Sequence, residues 1–278
     1  MERALVLGGG GVTGIWWELG VLKGLRDGGV DLTAADLIVG TSAGSFVGAL
    51  IGTGVDLDDA TASQRVTEQA SAGPQFDPEQ MVAAIVALRR EGGTSQELRA
   101  RIGAMALASS QVSEAERLEV IASRLPRHEW PERKLLITAV DAGDGRFVVW
   151  DRDSGVPLVR AVAASCAVPG VWPPVSIDGR RYMDGGVRSL NNSDLAAGCD
   201  PVAILAPYTL GLEGSLEDEV DALGDASVVI VSPDRGALEA IGPNPLDPGR
   251  RVAAFDAGLA QTTRELDRAG AVWLGSVG

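Results

Sequence analysis

Twice within the first 55 residues a short apolar run meets a glycine-rich turn and passes into a helical pattern. The first unit runs from Ala4–Leu7 through "GGGGVTG" into a helix predicted over Gly14–Arg26. Ile15, Leu19, Leu22 and Leu25 fall at helical spacing, and "DGG" at Asp27–Gly29 ends it. The second runs from Asp36–Val39 through "GTSAG", Gly40–Gly44, into "SFVGALIGTG". Two strand–helix units in succession demand parallel strands with a right-handed crossover. A parallel sheet must be covered on both faces. The expected class is therefore α/β, a central and mostly parallel sheet flanked by helices in three layers.

The rest of the chain extends this plan. Lys134–Asp141 and Phe147–Trp150 read as strands around a Gly143–Gly145 turn, and Pro157–Ala167 reads as a helix. "VPGVWPPVSIDGRRYMDGG" is rich in Pro and Gly and holds one short hairpin. Val202–Leu205 and Val228–Val231 are buried strands before a last helix around Arg251–Ala269. Between them, residues 56–131 change character: helix formers predominate, with N-caps predicted at Asp77 and Ser113. The chain is expected to be one α/β domain over residues 1–278 with a helical insertion at about 56–131. Met81, Val82, Ile85, Val86 and Leu88 in that insertion serve either as core or as the apolar face of a lid.

Charge narrows the function. With 24 Lys and Arg against 38 Asp and Glu, the net charge is −14, and such a surface repels nucleic acid. Cys166 and Cys199 are too few for a disulfide framework. His128 is the single histidine, and no other ligands cluster around it, so neither a metal nor another cofactor is expected. The opening "MERALVLGGGG" lacks the basic and long apolar regions of a secretory signal, and no stretch is long and apolar enough to span a bilayer. A cytoplasmic protein is expected, with at most peripheral membrane contact.

The glycine turns allow two chemistries. Gly9, Gly11 and Gly14 satisfy the dinucleotide spacing G-x-G-x-x-G, which would cradle phosphates. That reading wants a carboxylate at the C-terminal end of strand two, yet Asp36 lies at the other end. The C-terminal end carries Gly40, Thr41 and Ser42 instead. G-x-S-x-G between strand and helix is a nucleophile elbow, though Ser42 also suits a plain helix cap. If the two strands are neighbours, the amides of Gly9, Gly10 and Gly11 face Ser42 and become an oxyanion hole, each donor worth roughly 3 kcal/mol. A serine needs a base. His128 lies in the polar stretch "PRHEWPERK" with no strand end to aim it, which leaves the acids at strand ends and glycine turns. Asp184 in "YMDGG" stands modestly ahead of Asp141 in "AVDAG" and of Asp178, which suit turns equally well.

Three blocks in order, "GGGGVTG", "GTSAG" and "DGG", together with "AASCAVPGVWPPVSIDGRRYMDGGV", closely resemble the patatin-like phospholipases in their bacterial form. The resemblance spans roughly residues 4–55 and 134–210. It implies a three-layer α/β fold and a Ser–Asp dyad that works without histidine. The nucleophile falls on Ser42, the acid on Asp184, and the oxyanion-hole glycines on Gly9, Gly10 and Gly11. Gly14, Gly40, Gly44, Gly185 and Gly186 complete the motifs. The implied activity is serine-dependent hydrolysis of acyl lipids or related carboxylic esters, with no cofactor. One departure is Thr13, where the family often carries Arg or Lys. The rival readings are a nucleotide-binding protein and a non-catalytic member that binds acyl lipids. Around the motifs, Trp16, Trp17 and Trp172 suit either core packing or a pocket wall, and Cys166 reads as a buried thiol. Asn191 and Asn192 suit either turns or hydrogen bonds that hold the Asp184 loop.

Overall fold

The computed structural model describes residues 1–66, 77–108, 112–209 and 214–275. The N-terminal elements are β1 (Ala4–Leu7), α1 (Gly11–Asp27), β2 (Leu37–Gly40) and α2 (Ala43–Gly52). Four helices follow: α3 (Leu57–Val66), α4 (Pro78–Arg90), α5 (Ser95–Ala108) and α6 (Glu114–Arg124). The chain then forms β3 (Lys134–Asp141), β4 (Phe147–Trp150), α7 (Leu158–Ser165), β5 (Val175–Ile177) and β6 (Arg180–Asp184). It ends with β7 (Val202–Leu205), α8 (Leu216–Asp221), β8 (Val228–Val231), α9 (Arg235–Ile241) and α10 (Arg251–Trp273).

The expected elements are present, with shifts at their ends. Helix α1 starts inside the glycine block because the Gly10 carbonyl already accepts the Gly14 amide at 2.9 Å. Strand β2 starts one residue later than expected, since the Asp36 carboxylate takes the Arg3 amide at 2.8 Å. Both predicted N-caps are made: Asp77 accepts from the Gln80 amide at 3.0 Å, and Ser113 forms a reciprocal capping box with Glu116. The short helices α8 and α9 had no strong pattern in the sequence.

The strands form one hydrogen-bonded path, β5-β6-β3-β2-β1-β7-β8, with β4 paired to β3 outside it. From β3 to β8 all neighbours on the path are parallel; β4 and β6 run antiparallel to β3, and β5 to β6. The chain moves outward from β1 to β2 to β3 and later returns to lay β7 against β1's other edge. That reversal makes a topological switch point at the carboxyl ends of β1 and β7, where open α/β sheets place their ligands.

Register brings a second convergence. Ile137 of β3 pairs with both Gly40 of β2 and Trp150 of β4, while Ala139 pairs with both Val148 of β4 and Asp184 of β6. A strand has only two edges, so β2 and β6 share one of them, running toward each other. Their ends meet beside Thr138.

Alternating side chains divide the core, as a sheet buried on both faces requires. Leu5, Leu7, Ile38, Ala203 and Leu205 face the large cluster that holds Trp16, Trp17, Phe46, Ala161 and Phe255 from α1, α2, α7 and α10. Ala4, Val6, Leu37, Val39, Val202 and Ile204 face the other way, under Ala196 and Leu216. Helices α4 and α5 extend that second side, where Ile85, Leu98 and Ile102 pack on Val140 and Met183, while Leu57 of α3 and Ile121 of α6 join the large cluster.

Helices α1 and α10 touch through glycines from both sides. A Cβ on Gly20 would lie 2.2 Å from the Phe255 carbonyl oxygen, and one on Gly258 would lie 2.4 Å from that of Trp17. The buried Trp17 indole then donates to Gln261 Oε1 at 2.8 Å. By helix propensity alone, Gly20→Ala would add about 1 kcal/mol. Steric overlap with backbone decides the sign, so Gly20→Ala and Gly258→Ala should each lose about 1–3 kcal/mol in urea denaturation. A gain in either would refute the close approach.

Candidate active site

The turn after β2 is tight because both of its glycines are pressed against backbone. A Cβ on Gly44 would lie 2.0 Å from the Leu7 carbonyl oxygen, and one on Gly40 would lie 2.6 Å from Ser45 Cα. Ser42 between them has φ 51° and ψ −115°. A non-glycine residue holds this conformation only when its surroundings impose it. Here they do. The Ser42 amide donates to Ser165 Oγ at 2.9 Å, and its carbonyl accepts from Ser45 Oγ at 2.7 Å and Cys166 Sγ at 3.1 Å. With its backbone tied on both sides, Ser42 is left with its side chain facing the cleft.

The glycine block lies against this elbow. The Gly44 amide donates to the Gly8 carbonyl at 3.0 Å, and a Cβ on Gly9 would stand 3.5 Å from that of Ser42. Gly14 lies over the start of α2, where its Cβ would be 3.6 Å from that of Ala43. Gly11, at φ 62°, opens α1. Among the described residues the amides of Gly10 and Gly11 meet no protein acceptor, whereas the Gly9 amide is bound to the Leu190 carbonyl at 2.6 Å. Free amides at the start of a 17-residue helix favour negative charge.

Asp184 closes β6 opposite the elbow. Its amide donates to the Ala167 carbonyl at 3.0 Å, and its Oδ1 accepts from the Gly186 amide at 2.8 Å. The Ser42 side chain shares the cavity wall with this carboxyl and is near enough to draw its pKa down. Gly185 must be glycine here, since its Cβ would fall 2.2 Å from Thr138 Oγ1. Asp184 is only 5% exposed. Burial raises its pKa to about 7, against the opposing pull of the Ser42 side chain, the Gly186 hydrogen bond and the positive charge of Arg117.

A polar knot braces the junction. Thr41 Oγ1 and Thr138 Oγ1 are 2.9 Å apart, and the buried Asn192 amide donates to Thr41 Oγ1 at 2.9 Å and to the Ser189 carbonyl at 2.7 Å. Arg188 donates to Asn192 Oδ1 at 2.8 Å, while Asn191 reaches the Tyr208 carbonyl at 3.0 Å. Both asparagines therefore hold loops around Asp184 by hydrogen bonds. Local sequence carried no sign of the Thr41–Thr138 pair.

Above the pair opens a cavity of about 580 Å³. Gly9, Gly10, Gly11, Ser42, Asp184 and Gly186 lie in its wall, as do Val168, Pro169, Leu190 and Tyr208. Helix α4 supplies Met81, Val82, Ile85, Val86 and Arg89. Val82 and Val86 are 57% and 43% exposed, whereas Ile85 is buried in the core below. One helix thus serves as core on one side and cleft wall on the other. The cleft is mostly apolar, with a charged pair of unlike sign, Arg89 and Asp184, among its lining residues.

The other sequence candidates lie elsewhere. Asp141 accepts from the Gly143 amide at 2.8 Å and pairs with Arg180 at 2.5 Å, a turn and an ion pair. Asp178 has φ 48° in the β5–β6 hairpin. Exposed His128 is bound to the Ala122 carbonyl at 2.9 Å. Trp16 packs edge-to-face on Phe255, and Trp172 lies under the Arg117 guanidinium. The Cys166 thiol is pushed up to about 12 by burial, which suits a hydrogen-bond donor and not a nucleophile. Thr13 is fully buried, with its amide and hydroxyl both on the Pro245 carbonyl. Asp36 precedes β2 at the amino ends of the parallel strands, opposite the end where a ribose would need an acid.

This architecture and chain have relatives. The chain aligns at 29% identity over 184 residues with uncharacterized NTE family proteins of Mycobacterium bovis and Mycobacterium tuberculosis, covering 66% of this chain and 42% of theirs. The chain thus spans less than half the length of these relatives. Its fold is similar to that of VipD from Legionella pneumophila, with a TM-score of 0.51 at 14% identity, over 96% of this chain and 67% of that one. Among the described residues no helix is long and apolar enough to cross a membrane. The family model for patatin-like phospholipase matches residues 5–197, the stretch that holds the elbow, the glycine block and Asp184, and the chain belongs to that family.

Proposed function

We propose that the protein is a serine-dependent acyl hydrolase that cleaves carboxylic esters of lipids, with Ser42 as nucleophile and Asp184 as its base. The observation that carries this reading is the placement of Ser42, on its strained turn, and the buried Asp184 carboxyl together in the wall of a mostly apolar cavity. The acyl chain lies along Val82, Ile85, Val86 and Leu190, which places the ester carbonyl beside Ser42. As Ser42 Oγ attacks that carbon, Asp184 takes the hydroxyl proton. The carbonyl oxygen becomes an oxyanion and is held by the amides of Gly10 and Gly11, with Gly9 shaping the loop through its bond to Leu190. Collapse of the tetrahedral intermediate breaks the ester C–O bond, and Asp184 returns the proton to the leaving alcohol. Water repeats the cycle: Asp184 takes a proton from it, its oxygen attacks the acyl carbon, and Ser42 departs with the proton.

Burial helps the base. A carboxyl near its ordinary pKa is too weakly basic to draw a proton from serine, and a raised value narrows that gap. The carboxyl must still be ionised to act, so kcat/KM should rise with pH through about 7. A profile flat from pH 5 to 9 would contradict Asp184 as the base.

Ser42→Ala and Asp184→Asn should each lower p-nitrophenyl butyrate hydrolysis by at least about 10³-fold, since each removes one member of a single proton-transfer unit. A fluorophosphonate should add to Ser42, as located by intact mass and peptide mapping. Asp141→Asn and His128→Ala should keep most activity. Loss of activity in Asp141→Asn with a working Asp184→Asn would reassign the base.

The same acid sets a stability trade. Its folded pKa lies above its unfolded value, so the folded state holds the proton more tightly and stability falls as pH rises from about 4 to about 7. Asp184→Asn escapes this loss. Its melting temperature should exceed that of the wild type at pH 8, with the difference closing toward pH 4.

A further inference from the structure

We propose that Arg117, on α6 between α2 and β3, is a positioning residue for the Ser42–Asp184 pair. It supplies a buried positive charge that acts on the Asp184 carboxylate, a charge the glycine block does not provide at Thr13. The inference rests on the hydrolase reading above.

Arg117 is 9% exposed, and its guanidinium carbon stands 3.9 Å from the centroid of the Trp172 ring. Stacking on an aromatic face holds a guanidinium without using its hydrogen-bonding edge. Nε of Arg117 has no hydrogen-bond partner. Burying a cation this deeply is costly unless an opposite charge compensates. Burial draws the arginine down to about 10, so it remains charged at neutral pH, and Asp184 is a carboxylate whose charge acts on it.

The shelf and the acid belong to one rigid assembly. Trp172 follows Val168 and Pro169 of the cleft wall, and Ala167 at the start of that loop accepts the Asp184 amide. Around Asp184 the other groups are neutral: the Ser42 hydroxyl, the Gly186 amide and the Cys166 thiol. Charges on neighbouring elements are engaged elsewhere. Asp141 of β3 pairs with Arg180; Glu114 of α6 pairs with Arg160 of α7 and with Arg181 of β6; Arg188 pairs with Asp194. Arg124 of α6 opposes Arg117 and itself feels Arg251. Arg89 of α4 also lines the cavity, but Arg117 is the cation whose charge acts on Asp184, arriving from a helix far from the glycine block in sequence.

The test is the pH dependence of kcat/KM for p-nitrophenyl butyrate in Arg117→Met and Arg117→Lys. Loss of the charge should move the acid limb upward by about one pH unit, a tenfold loss on the acid side, with KM and the alkaline plateau nearly unchanged. Arg117→Lys keeps the charge and should keep the limb. The shift should also appear without turnover: with Arg117→Met as the background, the stability advantage of Asp184→Asn should keep growing to a higher pH and end larger. If Arg117→Met does not fold, Trp172→Leu decides: removal of the shelf should move the limb in the same direction. An unmoved limb in a folded variant, or equal losses in Met and Lys variants at all pH values, would overturn the proposal. A wild type that resists fluorophosphonate would sink the hydrolase reading, and the stability readout would then decide Arg117 by itself.

Discussion

The site depends on a shared edge. Strands β2 and β6 occupy the same side of β3 and run head-on, so the residue after one and the last residue of the other arrive at Thr138 together. Neither end is free to drift. The register of β3 with β4 on the opposite edge holds the long strand in place, and parallel pairing of β2 with β1 brings the glycine block alongside. A hydroxyl and a carboxyl from distant parts of the chain thereby meet with little freedom left to lose. That loss of freedom was met at folding, which is how a preorganised pair lowers a barrier.

Holding such a pair has visible costs. Ser42 has a backbone conformation that serine seldom adopts, and Asp184 is buried where its charged form is disfavoured. The surroundings compensate with short, directed hydrogen bonds: Ser165 and Cys166 on the elbow backbone, Asn192 across the two threonines, Gly186 on the carboxylate. Each of these groups is itself buried, and a half-satisfied network would be worse than an apolar one. The polar knot is therefore best understood as the support of the strained serine.

The residues between α2 and β3 do more than cover the sheet. Helix α5 and the inner side of α4 complete the core over Val140 and Met183, while the outer side of α4 leaves Val82 and Val86 along the cleft. Helix α6 carries the buried Arg117 on the Trp172 ring. A chain of net charge −14 thus holds the buried acid Asp184 among mostly apolar walls, with a stacked cation behind it. An ester with a fatty chain suits such walls better than a polyanion does.

Much of this was legible before any coordinates. Two βα units required parallel strands, because the direction of a crossover follows from backbone chirality and local pattern. The caps at Asp77 and Ser113, the glycine turns and the candidates Ser42 and Asp184 were also readable, since each depends on a few neighbouring residues or on the order of motifs. What the sequence left open was decided by register and burial. It weighed Asp141 against Asp184 on position alone; the fold pairs Asp141 with Arg180 and sets Asp184 in the cavity wall with Ser42. It grouped Gly9, Gly10 and Gly11 as equivalent, yet Leu190 takes the first amide and leaves the other two. Arg117 gave no signal, since a cation on an amphipathic helix looks solvated until the fold supplies an aromatic ring beneath it. Sequence determines conformations that are settled within a turn or a strand. Only the tertiary structure decides which distant groups share a dry volume, because that depends on how whole elements pair.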